Sequence, residues 1–97
     1  MSGTLFDFAR IVPKPEYFED ASDAILAIVP DTREEAGCLQ FTVLAEPDEG
    51  ALYLFEEWQD EAALKTHHDK PYTRAVMDNY TDWLAEPLRF ETMYKLA

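Results

Sequence analysis

A histidine, a carboxylate and two aromatic side chains gather where a strand gives way to helices: Phe55-Glu56-Glu57-Trp58, then Ala63-Leu64-Lys65-Thr66-His67, then Pro71-Tyr72. Imidazole titrates at about 6.5 and so takes a proton readily at neutral pH, and an adjacent carboxylate orients the ring and favours its charged form. Residues two apart on a strand share a face, which puts Glu56 and Trp58 on the same side. If that side looks toward the following helices, His67 and Tyr72 close a pocket above it. The expected catalytic pair is His67 as base with Glu56 orienting it, and the expected substrate-binding walls are Trp58 and Tyr72.

Each of these residues has a plainer alternative. His67 can be a satisfied, partly buried helix residue, and Trp58 and Tyr72 can be core or rim packing. Glu56 is more informative, because a carboxylate sharing a strand face with Leu52, Leu54 and Trp58 must find a partner, reach water or carry a raised pKa. His68 lies about 100° round the helix from His67, so the two histidines do not offer paired ligands on one face, and no metal site is expected. Cys38 follows Gly37 with no neighbouring cation in sequence and reads as an inert strand-start residue. The three glycines form no phosphate-binding loop, so no nucleotide or flavin cofactor is expected.

Several elements must position the constellation. Leu5 to Val12 is apolar and stopped by Pro13-Lys14-Pro15, which predicts a first strand. Phe18, Ala21, Ile25 and Ile28 recur at helical spacing behind the acidic Glu16, Glu19, Asp20 and Asp23, and Pro30 predicts a kink or restart before Gly37. Leu39 to Ala45 and Ala51 to Trp58 read as a hairpin about Glu46-Pro47-Asp48-Glu49-Gly50. Asp60 suits the cap of a helix presenting Ala63, Leu64 and His67. Pro71 then suits the first turn of another, presenting Tyr72, Val76, Asn79 or Tyr80, and Trp83. Leu88 to Leu96 alternates as a last strand. The order βαββαβ in one α+β domain over residues 1–97 is the ferredoxin-like arrangement, an antiparallel sheet with its helices on one face. Strand three is apolar on both sides, with Leu52 and Leu54 on one and Tyr53 and Phe55 on the other. A second copy of the chain is the simplest cover for the open face, so a homodimer is expected.

Composition narrows the partners. Twenty Asp and Glu against eight Lys and Arg give a formal net charge of −12, and the few cations are scattered. Nucleic acid and anionic membrane surfaces are therefore not expected as partners. One cysteine allows no internal disulfide, and the start of the chain carries neither a secretory pattern nor a membrane span, so a cytoplasmic location is expected.

Glu35-Ala36-Gly37-Cys38-Leu39, Phe55-Glu56-Glu57-Trp58, Ala63-Leu64-x-x-His67 and Pro71-Tyr72, in this order and spacing, resemble the antibiotic biosynthesis monooxygenase family. That family includes quinol monooxygenase-like proteins of the dimeric α/β barrel class. The resemblance spans nearly the whole chain. It implies a sheet-packed homodimer, a pocket between sheet and helices, and cofactor-independent oxidation of a small aromatic quinol or polyphenol by dioxygen. Two other outcomes are compatible with the same scaffold: enolisation or isomerisation of a small carbonyl compound, and ligand binding without turnover in a stress-response dimer. Many members place a second histidine where this chain has Tyr72. Haem-degrading relatives use an Asn in strand one, a Trp near the place of His67 and a His near Met77, and none of these is evident, so haem degradation is not expected.

Overall fold

The computed structural model describes residues 3–97, which leaves only the first two residues of the segment read for a secretion signal outside it. Four strands, β1 (Leu5–Ile11), β2 (Cys38–Glu46), β3 (Ala51–Trp58) and β4 (Arg89–Tyr94), form one antiparallel sheet in the order β2-β3-β1-β4. Its helices are α1 (Phe18–Ala27), α2 (Val29–Arg33), α3 (Glu61–Asp69) and α4 (Pro71–Trp83), with a single 3-10 turn at Pro15–Tyr17 ahead of α1. This is the ferredoxin-like α+β fold expected from the element order. The sheet is open: β2 and β4 are edges, so no barrel closes within one chain.

Strict alternation explains which face carries the helices. Along β1, Leu5, Asp7, Ala9 and Ile11 are buried, and opposite them on β3 lie Trp58, Glu56, Leu54 and Leu52. Phe41 and Val43 of β2 extend the same face. Against it pack Ala21, Ile25 and Ile28 at helical spacing, and Val76 and Tyr80 of α4. Of the two α4 positions left open by the spacing, Tyr80 is buried, its hydroxyl donating to the Ala21 carbonyl at 2.8 Å, and Asn79 is exposed.

Pro30 acts as expected: α1 ends at Ala27 and a short separate helix restarts with Pro30 in its first turn, where its missing N–H costs no bond. The chain then reverses at Gly37, whose φ of +88° is a left-handed conformation that residues with a side chain rarely adopt. A Cβ there would also stand 2.6 Å from the Ala63 Cβ, so only glycine lets α3 approach the end of α2 this closely.

The other sheet face carries Phe6, Phe8, Tyr53 and Phe55, half-buried and packed on one another with ring centroids 5.6 to 6.2 Å apart. Leu44 and Met93 flank them, exposed. Among the described residues no helix covers this side. No helix of the described residues is long and apolar enough to cross a membrane.

Candidate active site

The site is set by where α3 begins. Asp60 Oδ1 accepts from the Ala63 N–H at 2.8 Å, capping the helix, and Ala63 rests on Gly37. One turn on, His67 projects from the same side of α3 onto the sheet and is only 3% exposed. Its ring packs on Trp58 with centroids 4.8 Å apart and meets Phe41 edge-on at 5.6 Å. Its Nδ1 lies 2.9 Å from Glu35 Oε2.

The carboxylate that holds His67 is thus Glu35, not Glu56. Glu35 sits between α2 and Gly37, and its place is fixed by backbone bonds on both sides: Glu35 N–H donates to Thr32 O, and Cys38 N–H donates to Glu35 O. Arg33 anchors the same turn by a fork of Nε and Nη2 on the Phe41 carbonyl, at 3.1 and 2.9 Å. The Glu35 side chain is 5% exposed and its Oε2 also accepts from the Tyr72 hydroxyl, while its Oε1 is buried without a partner. With Nδ1 donating to a carboxylate, the ring keeps a lone pair on Nε2, the arrangement of a base. Burial lowers the His67 pKa from its ordinary value and the Glu35 carboxylate works against that shift, so the ring is neutral at pH 7 and ready to take a proton.

Glu56 is 2% exposed and accepts from the Trp58 indole Nε1–H at 2.9 Å. Burial pushes its pKa up to about 8, with the neighbouring Asp7 adding to the shift and the Trp58 bond opposing it. It is therefore a neutral acid at pH 7, the opposite state from the charged orienting group expected. Desolvation decides between the two roles: an ionised Glu56 would sit in the apolar layer with one indole N–H as its compensation.

Glu56 and His67 both line a narrow cavity between sheet and helices, closed by Ile11, Phe41, Met77 and Phe90. Its volume of about 30 Å³ admits a water or two, not an aromatic ring. A wider cleft of about 370 Å³, bounded by His68, Thr73, Arg74, Met77, Asp78 and Phe90, adjoins it and shares four of those side chains with it. Met77 and Phe90, which line both, are exposed.

Trp58 and Tyr72 are not on the cavity wall. Trp58, fully buried, backs the His67 ring and donates its indole N–H to Glu56, and the Tyr72 hydroxyl donates to Glu35. The Glu35 carboxylate and burial hold the Tyr72 phenol well above its ordinary pKa. Cys38 is half-buried and burial raises its thiol pKa, which removes thiolate character. Among the described residues no group of three or more His, Cys, Asp or Glu side chains is arranged to hold a metal ion.

A family model described as antibiotic biosynthesis monooxygenase matches residues 6–79. The chain belongs to that family. Among antibiotic biosynthesis monooxygenase relatives, a Mycobacterium tuberculosis protein named "putative monooxygenase" is 29% identical over 72 residues, covering 74% of this chain and 71% of its own. An uncharacterised Synechocystis protein is 28% identical over 89 residues, 91% of this chain, and the chain spans only 60% of that relative's length. A Pseudomonas aeruginosa crystal structure superposes with a TM-score of 0.91 at 28% identity, covering all of this chain and 98% of that one. The open four-stranded sheet with helices on one face is thus the family's fold.

Proposed function

We propose that the chain is a cofactor-independent monooxygenase that oxidises a small, electron-rich phenolic ring with dioxygen. The observation that carries this reading is the pairing, on one cavity wall, of a neutral imidazole held by a buried carboxylate and a neutral carboxylic acid. The overall change is phenol plus dioxygen to quinone plus water. With the ring in the wider cleft and the exposed Met77 and Phe90 side chains turned aside to open the cavity to it, His67 Nε2 removes the phenolic proton, and the electron-rich ring carbon so formed bonds one oxygen atom of dioxygen, giving a peroxide anion. Protonation of that anion by an acid such as Glu56, and loss of the ring C–H proton to the carboxylate so formed as the O–O bond breaks, leave a second C=O and hydroxide, which takes up the proton held at His67 to become water. The protein's part is a base, an acid, orientation and a dry site. Family membership and relatives bearing the monooxygenase name support the class of reaction.

The aromatic outer face of the sheet is assigned to a second copy of the chain, since Phe6, Phe8, Tyr53 and Phe55 form a contiguous apolar patch that the helices leave bare. The same acid–base pair also suits proton transfer without oxygen, as in an enolisation. Oxygen uptake separates the two readings. Protein dialysed against chelator and given a panel of hydroquinones and naphthols, corrected for autoxidation, consumes one dioxygen per quinone formed. Substrate rearrangement without oxygen uptake replaces the oxidation with the enolisation, and activity that needs a restored metal overturns the cofactor-free chemistry.

A further inference from the structure

Asp7 was not among the residues the spacing singled out, yet it stands beside the site. Asp7 and Glu56 are direct partners in the β1–β3 register and point to the same, helix-covered face. Directly opposed side chains of an antiparallel pair have Cβ atoms about 5 Å apart, within reach for two carboxyl groups. Both residues are buried, 1% and 2% exposed. Asp7 Oδ1 accepts from the Thr92 hydroxyl at 3.0 Å, and Oδ2 is buried with no partner.

We propose that Asp7 and Glu56 share one proton across the two strands, making Asp7 the positioning residue that keeps Glu56 a neutral acid facing the cavity. Two buried carboxylates this close do not both ionise without a cation, and among the described residues no lysine or arginine bears on either. The charged and titratable groups facing the pair are Glu35 from the turn after α2, which adds further negative charge beside Glu56, and His67 and His68 from α3, which act on Asp7. Tyr80 of α4 is committed to the Ala21 carbonyl, and β4 contributes only the Thr92 hydroxyl. The division of labour follows from the hydrogen bonds. Thr92 stabilises charge on Asp7, so the shared proton rests on Glu56, on the oxygen other than the Oε1 that accepts from Trp58. Burial acts on Asp7 as well, raising its pKa, with the Thr92 bond as the main opposing influence. When Glu56 gives its proton to an oxygen anion in the cavity, the ring C–H proton released as the O–O bond breaks restores it, and the pair returns to its singly protonated state.

This inference rests on the proposed reaction only for the use to which the proton is put, and its test needs no substrate. Carbon-13 NMR titration of the side-chain carboxyl groups in the full chain should show Glu56 protonated through neutral pH. In Asp7→Asn, which keeps an acceptor for Thr92, its midpoint should fall by about one pH unit, the scale of a close like charge. Thr92→Val, which removes the bond that favours charge on Asp7, should move the proton toward Asp7 and also lower the Glu56 midpoint. If Asp7→Asn does not fold, Thr92→Val decides alone. A Glu56 midpoint unmoved by these substitutions, or an ordinary carboxylate midpoint in the wild type, overturns the shared proton. If the titration holds and no phenol is turned over, the pair stands and the monooxygenase reading falls.

Discussion

Replacing Glu56 by Gln should make the protein more stable as pH rises, even though it removes a side chain from the site. The glutamine keeps the shape and an oxygen for the Trp58 N–H, and discards only the ionisation. In the folded wild type Glu56 titrates at about 8 against an ordinary 4.5, so between those values the folded state holds a proton that the unfolded state has released. A group raised in this way contributes stability that is complete below its unfolded pKa and lost as pH climbs toward its folded one. The loss is about 1.4 kcal/mol per pH unit, or about 3 kcal/mol between pH 4.5 and 7 and about 4 kcal/mol by pH 8, where it levels off as the folded state ionises too. His67, whose pKa burial lowers, runs the other way: its contribution is present above its ordinary pKa and is lost as pH falls toward the folded value. Both proteins carry His67, so it cancels in the difference. Urea unfolding of wild type and Glu56→Gln at pH 5, 6, 7 and 8 should give curves that diverge steadily in favour of the mutant. At pH 7 the gap, relative to that at the acid end, should be about 3 kcal/mol, equivalent to roughly 15 °C in Tm for a domain of this size. Parallel stability profiles across that range would refute the claim that Glu56 is held neutral by burial.

Three further outcomes follow from the same geometry. Glu35→Gln removes the charge that supports His67 basicity, so the acid limb of the rate profile should move to lower pH and the plateau kcat/KM should fall by about tenfold, measured by turnover against pH. Gly37→Ala should cost about 3 kcal/mol in denaturant unfolding, because it combines a left-handed φ with a 2.6 Å approach to Ala63; a loss below about 0.5 kcal/mol would show that α3 does not rest on this turn. Phe55→Glu places a charge in the middle of the outer aromatic patch and should halve the mass seen by light scattering, while a wild type that is monomeric at micromolar concentration, with a Tm unaffected by dilution, removes the second copy from the account.

Much of this arrangement was legible in the chain because it is local. The two-residue period put Glu56 beside Leu52, Leu54 and Trp58 on the helix-facing side of β3, and the turn from Asp60 through Ala63 put His67 on the buried side of α3, as found. What escaped is non-local. Glu35 heads the Glu35-Ala36-Gly37-Cys38-Leu39 stretch, but it reaches His67 across 32 residues of chain, and no local spacing pairs the two until Gly37 turns the chain under α3. Glu56 was paired with His67 because both were visible, whereas packing gave the histidine to Glu35 and the indole to Glu56. Asp7 did leave a signal: an acidic residue alternating with Leu5, Ala9 and Ile11 on a buried strand face poses the same question as Glu56. The aromatic character of Trp58 and Tyr72 points to ligand contacts, while the hydrogen bonds of their polar tips, each to a carboxyl group, are set by packing that spacing does not show.

The central claim is that His67, held by Glu35, is the base, and the most direct measurement is turnover by His67→Gln. Alanine is the wrong probe here, since the ring fills space between Trp58 and Phe41, whereas glutamine keeps bulk and a donor for Glu35 while losing the basic nitrogen. With a phenol that the wild type oxidises, and with circular dichroism and light scattering unchanged, the account predicts a fall in kcat/KM of about 10²- to 10⁴-fold. A folded His67→Gln protein that turns over the same phenol at the wild-type rate would contradict it.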